Sequence, residues 1–185
     1  IKQGMEVLGR LSHRGATGAD PETGDGAGIL IQAPHEFLAK ACAKENFILP
    51  SSGDYGIGMV FLPTNKKERA LCKGIFARII KEEGQALLGW RIVPVDNSAI
   101  GKTAKLTQPV IEQVFIGKGK GLSIGKDGLD FERRLYIIRK KIENEIRSLF
   151  LKQKSFFYIT NLSCRTLSYK GLLMPEQLEK FFLDL

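Results

Sequence analysis

The sequence predicts an α+β fold, and three observations carry that prediction. Between Tyr55 and Thr160, apolar runs of strand length alternate with helical patterns in the order strand, helix, strand, strand, helix, strand, the order of a ferredoxin-like split βαβ unit. On either side, a helical pattern with a glycine-rich loop and a hairpin pattern with a closing helix supply a second layer, which assigns residues 1–54 and 161–185 to one part and 55–160 to an inserted subdomain. The 185 residues, 43% of them hydrophobic, are enough to bury a core.

Each element has its own signal. Met5, Leu8 and Leu11 follow helical spacing from the first residues, as in a helix entered partway. The stretch "HRGATGADPETGDGAG", residues 13–28, holds five glycines and the acids Asp20, Glu22 and Asp25, so backbone there bends sharply or is approached closely. "GAGILIQ" reads as a buried strand, and Pro34 opens a helix with Phe37, Leu38, Ala41 and Cys42 inside. "YGIGMVFLP" is the next strand. Asn65 and Glu68 have capping-box spacing before a helix presenting Leu71, Ile75 and Ile79 and stopping at Gly84.

The strands "GWRIVPV" and "PVIEQVFI" follow, joined by "DNSAIGKTAKLTQ", and a glycine- and lysine-rich tip, "GKGKGLSIGKDG", precedes the longest helix. That helix starts near Asp130 and lines up Phe131, Leu135, Ile138, Ile142, Ile146 and Leu149. "SFFYITNLS" and "RTLSYKGLL" form a hairpin pattern before a helix that Pro175 opens and whose apolar side is Leu178, Phe181, Phe182 and Leu185. With no initiator Met and a helix side at its last residue, the chain has the pattern expected of a fragment cut at both ends.

Composition excludes several function classes. The formal charge of +8 comes from Lys and Arg interleaved with Glu along helices, the pattern of solvated faces rather than of a nucleic-acid surface. Cys42, Cys72 and Cys164 have no paired spacing, which argues against a disulfide framework or a zinc site and for a reducing, cytoplasmic setting. No apolar run has the length of a membrane span. "GKT" at 101–103 fails as a phosphate loop because Asp96 stands where glycine is required, and "DPETGDG" fails as an EF-hand because Ile31 stands at the twelfth position. What remains is the loop from His13 to Gly28, with one guanidinium, several backbone N–H groups and little bulk.

That loop carries a resemblance. "LSHRGATGADPETGDGAGILIQAPHEF" closely resembles the start of the large subunit of the glutamate synthases, just inside the class II glutamine amidotransferase (glutaminase) domain. "LLGWRIVPVDNSAIG", "QPVIEQVFIGKG", "FERRLYIIRKKIE" and "TLSYKGLLMPEQLEKFFLDL" fit in the same order. The resemblance implies part of an N-terminal-nucleophile αββα sandwich holding the inserted split βαβ-like subdomain. It implies hydrolysis of glutamine by an N-terminal cysteine, with the α-amine as base, through a glutamyl thioester. The ammonia then aminates 2-oxoglutarate in a complete enzyme carrying FMN and an iron–sulfur cluster. Its partners would be glutamine, the remaining domains of the same polypeptide, and ferredoxin or a nicotinamide-dependent small subunit, in the cytoplasm or, in a photosynthetic source, a plastid.

The resemblance places the cysteine upstream of Ile1 and the oxyanion-hole asparagine downstream of Leu185, so no catalytic residue is carried over, no cofactor is assigned to these residues, and the fragment alone is expected to be inactive. What is carried over is a loop supporting the active site: His13, Arg14, Gly15, Asp20, Thr23, Gly24, Asp25, Gly26 and Gly28. Two roles for Arg14 stay open. It either orients the nucleophile loop or lines the mouth of the glutamine pocket, or else it pairs with Asp20 or Asp25 to hold a turn. The rival readings are a domain of another class II amidotransferase and a non-catalytic basic α/β module acting through Lys118, Lys120 and Lys126.

Overall fold

The computed structural model describes residues 1–11, 20, 22–120 and 129–185. In sequence order the elements are α1 (Lys2–Arg10), β1 (Ala27–Gln32), α2 (His35–Lys44), β2 (Tyr55–Leu62), α3 (Lys66–Glu82), β3 (Ala86–Ile92), α4 (Lys102–Leu106), β4 (Val110–Gly117), α5 (Asp130–Ser148), β5 (Tyr158–Ser163), β6 (Thr166–Gly171) and α6 (Pro175–Phe181). They fall into two compact units. The first combines Ile1–Ile31, Val93–Gln108 and Ser168–Leu185, and the second combines Gln32–Ile92 with Pro109–Leu167.

The second unit is the split βαβ arrangement. Its four strands lie in the order β3-β4-β2-β5, with every adjacent pair antiparallel, so the first and third strands of the β-α-β-β-α-β series are central. Tyr55 faces Gly117 and Leu62 faces Val110 across the central pair. Both central strands are buried along almost their whole length, because each of their faces is covered. On one side Val60, Leu62, Val114, Ile116, Ile159 and Leu162 meet Cys72, Ile75, Phe76, Ile79 and Ile80 of α3 and Phe131, Leu135, Ile138, Ile142 and Ile146 of α5. Leu71 of α3 departs from expectation: it is exposed rather than inside, one position outside the buried stripe. On the other side of the sheet the Phe47 ring lies 5.4 Å from that of Phe115, and the Tyr55 ring 6.3 Å from it. There, too, fully buried Gln113 accepts from Arg91 Nη1 at 2.9 Å. The Arg91 guanidinium in turn lies 5.5 Å over the Phe37 ring.

The start of α3 shows how a local signal is met and then diverted. Asn65 caps the helix, its side chain accepting from the backbone of Lys67 at 2.9 Å and Glu68 at 3.1 Å. The reciprocal half of the capping box does not form. Glu68 accepts instead from the backbone N–H groups of Lys152 and Gln153, and the Asn65 N–H donates to Gln153 Oε1 at 2.7 Å. The segment after α5 displaces the expected partner by offering two unsatisfied donors to one carboxylate.

The first unit is built around the two-stranded β1-β6 sheet. The sequence reads β1 as a buried strand; it alternates instead, with Ala27 covered and Leu30 64% exposed, because this sheet is packed on one face only. Tyr169 of β6 is buried against Phe182, 5.2 Å between rings, and its hydroxyl donates to Asp184 Oδ2 at 3.0 Å. The 93–96 stretch adds a bridge between Val95 and Phe182, with Asp96 N–H donating to Phe181 O at 2.9 Å. The strand expected over "GWRIVPV" therefore ends at Ile92, and the residues after it pair with the C-terminal segment of the first unit instead of extending β3.

Charge holds the two long helices together. The Glu83 carboxylate, whose side chain is 7% exposed, accepts from Arg134 Nη1 at 2.5 Å and from Lys141, and Arg78 bridges Glu82 and Glu145. The Lys141 bond first, then the Arg134 bond, holds Glu83 below its ordinary carboxylate range. A carboxylate stabilised in this way contributes fully above its unfolded pKa, and the contribution is lost as pH falls through the lower folded value. The stability lost in Glu83→Gln, measured by urea unfolding, should accordingly be constant between about pH 6 and 8 and shrink once pH drops below about 4.3. A difference that grows on acidification would show that the ion pairs do not set it.

Candidate active-site loop

The described part of the glycine-rich loop, Asp20 and Glu22 to Gly28, is tied down at every second or third residue. Its first joint is the Asp20 carboxylate. Oδ1 accepts from the Glu22 N–H at 3.0 Å and Oδ2 from the Thr23 hydroxyl at 3.0 Å, while the Thr23 N–H donates to the Asp20 carbonyl at 3.0 Å. This is the turn chemistry expected of Asp and Thr at that spacing. The turn leading into α4 lies against the same carboxylate: a Cβ on Gly101 would sit 2.8 Å from Asp20 Oδ2. The Glu22 N–H, then the Thr103 and Thr23 hydroxyls, hold Asp20 below its ordinary range, so it is an anion at neutral pH.

Backbone contact makes the second joint. A Cβ on Gly24 would sit 2.4 Å from the Leu173 carbonyl oxygen, and one on Gly28 would sit 2.6 Å from Lys170 Cβ and 2.9 Å from the Tyr169 carbonyl oxygen. No side chain fits at either place, which is the physical reason for glycine there. Gly26 has φ +142, a conformation that side chains rarely adopt. A third joint is Gln177 of α6, whose Nε2 donates to the Glu22 carbonyl at 2.8 Å while its Oε1 accepts from the Met174 N–H at 2.8 Å. Asp25 is exposed at the surface of this loop.

The structure thus brings Asp20, Thr23, Gly24, Gly26 and Gly28 into one constrained loop. His13, Arg14 and Gly15 lie outside the described residues, as does Lys126 of the basic tip. Gly101 and Gln177 belong to the same constellation, and sequence reasoning does not pick them out as loop partners. The "GKT" spacing is visible in the sequence, but its meaning depends on an acid far earlier in the polypeptide.

The thiols are held in their unreactive form. Burial pushes Cys42 up to about 12 and Cys72 up to about 11, and burial followed by the bond to Glu132 pushes Cys164 up to about 12. Among the described residues no three of His, Cys, Asp and Glu come together to hold a metal ion. His35 is occupied by the Tyr55 hydroxyl at 3.2 Å, and Asn161, the acceptor of a glycosylation sequon, is buried and donates to the Thr166 carbonyl at 2.8 Å. No helix among the described residues is long and apolar enough to cross a membrane.

Comparison with known proteins gives these joints a family. The sequence model of the class II glutamine amidotransferases matches residues 1–185. The chain belongs to the class II glutamine amidotransferases. Over 185 residues it is 45% identical to the "Glutamate synthase [NADPH] large chain" of Bacillus subtilis, covering 100% of this chain and 12% of that protein. It is 38% identical to the "Ferredoxin-dependent glutamate synthase" of Pyropia yezoensis, again over 100% of this chain and 12% of the relative. With the "Glutamate synthase [NADH]" of Schizosaccharomyces pombe it shares 37% over 182 residues, 97% of this chain and 8% of the relative. The chain therefore spans about an eighth or less of the length of these relatives.

The amidotransferase loop should be intolerant at its backbone contacts. Gly24→Ala is expected to push the loop off the Leu173 carbonyl and to destabilise the fold by about 1–3 kcal/mol. Faster amide exchange across Glu22–Gly28, read by hydrogen-exchange mass spectrometry, is the diagnostic result. Wild-type exchange in that variant would mean that the loop is not held there.

Proposed function

We propose that these residues are part of the glutaminase domain of a glutamate synthase, in which glutamine is hydrolysed to glutamate and ammonia. The observation that carries the reading is the match of the amidotransferase family over all 185 residues, together with the glutamate synthase names of its relatives at 36–45% identity. In the reaction the carboxamide C–N bond of glutamine breaks, the nitrogen leaves as ammonia, and water supplies the new carboxylate oxygen. In the complete polypeptide the ammonia, 2-oxoglutarate and two electrons with two protons give a second glutamate and water.

Burial pushes the thiols of Cys42, Cys72 and Cys164 up, which speaks against any of the three as the nucleophile. The reading assigns attack to a cysteine outside these residues, and the flavin and iron–sulfur chemistry to other parts of the polypeptide. These residues supply the loop scaffold. The electrons come from ferredoxin or a reduced nicotinamide, the donors in the relatives' names, and the compartment is the cytoplasm or a plastid, the latter in keeping with the "chloroplastic" relatives of rice and Arabidopsis.

Within this reading Arg14 acts at the glutamine site, as a fixed positive charge that orients the loop or the substrate. The complete polypeptide should release ammonia from glutamine and form glutamate from 2-oxoglutarate. Arg14→Ala should lower kcat/KM for glutamine by at least about tenfold while leaving the melting temperature unchanged. Unchanged kinetics would remove Arg14 from the site. A polypeptide that releases no ammonia from glutamine would remove the function itself.

A further inference from the structure

We draw no further inference here: the strongest candidate, the open face of the two-stranded β1-β6 sheet with exposed Leu30 within β1 and exposed Leu172 just past the end of β6, carries nothing because nothing among the described residues shows what covers it.

Discussion

The first unit depends on backbone being allowed to touch backbone. At Gly24 and Gly28 the glycine loop and the stretch from Tyr169 to Leu173 approach so closely that a methyl group would sit well inside van der Waals contact distance of a carbonyl oxygen. The polar joints of that unit follow from the approach. It brings the Glu22 carbonyl within reach of Gln177, and the same loop sets the Asp20 carboxylate against Gly101. Remove the glycines and these joints lose their geometry, because hydrogen bonds near 3 Å tolerate little displacement.

Much of the second unit is legible in the sequence because its signals are periodic. Phe131, Leu135, Ile138, Ile142 and Ile146 recur at helical spacing, and all five are buried in the core. The strand and helix order names the split βαβ topology, while the register does not follow from order, since sliding a strand by two residues leaves its apolar pattern intact. Two of the misses share a cause: they depend on partners distant in sequence. Glu68 has its expected partner Asn65 three residues away and is taken by Lys152 and Gln153. "GKT" fails as a motif in its own right, whereas its glycine leaves the room that the Asp20 carboxylate occupies. Local patterns carry local structure, and no spacing rule links position 20 to position 101.

The basic balance of the sequence looks different once the ion pairs are placed. Glu83, Glu112 and Glu143 are each largely shielded and each receive two cations, from Arg134 and Lys141, Arg69 and Lys73, and Arg139 and Lys140. A carboxylate removed from water needs such partners, and two cations around one carboxylate leave local positive charge as a by-product of holding helices together. Part of the +8 thus reflects internal architecture, and it supplies no argument for an anionic macromolecule as partner. At Lys118 the tip makes a similar pair, 3.9 Å to Asp54.

An aspartate at position 20 is the species this joint requires. Its two oxygens accept from the Glu22 N–H and the Thr23 hydroxyl, one each, with lone pairs to spare. An asparagine would replace one oxygen with an amide that can only donate, placing it against hydroxyl or N–H groups that already need an acceptor. A glutamate would carry the same charge one methylene further, into the space that Gly101 leaves open and that the carboxylate already fills. The charge is also kept at physiological pH, because each of these donors lowers the proton affinity of the group rather than competing with it. A joint of this kind is strong in direction more than in energy: lying at the surface, it adds little to global stability, yet it leaves the loop one orientation. Under the glutaminase function proposed above, a fixed loop orientation is worth more than its small energy, since displacements at a reacting centre cost rate far out of proportion to their cost in stability.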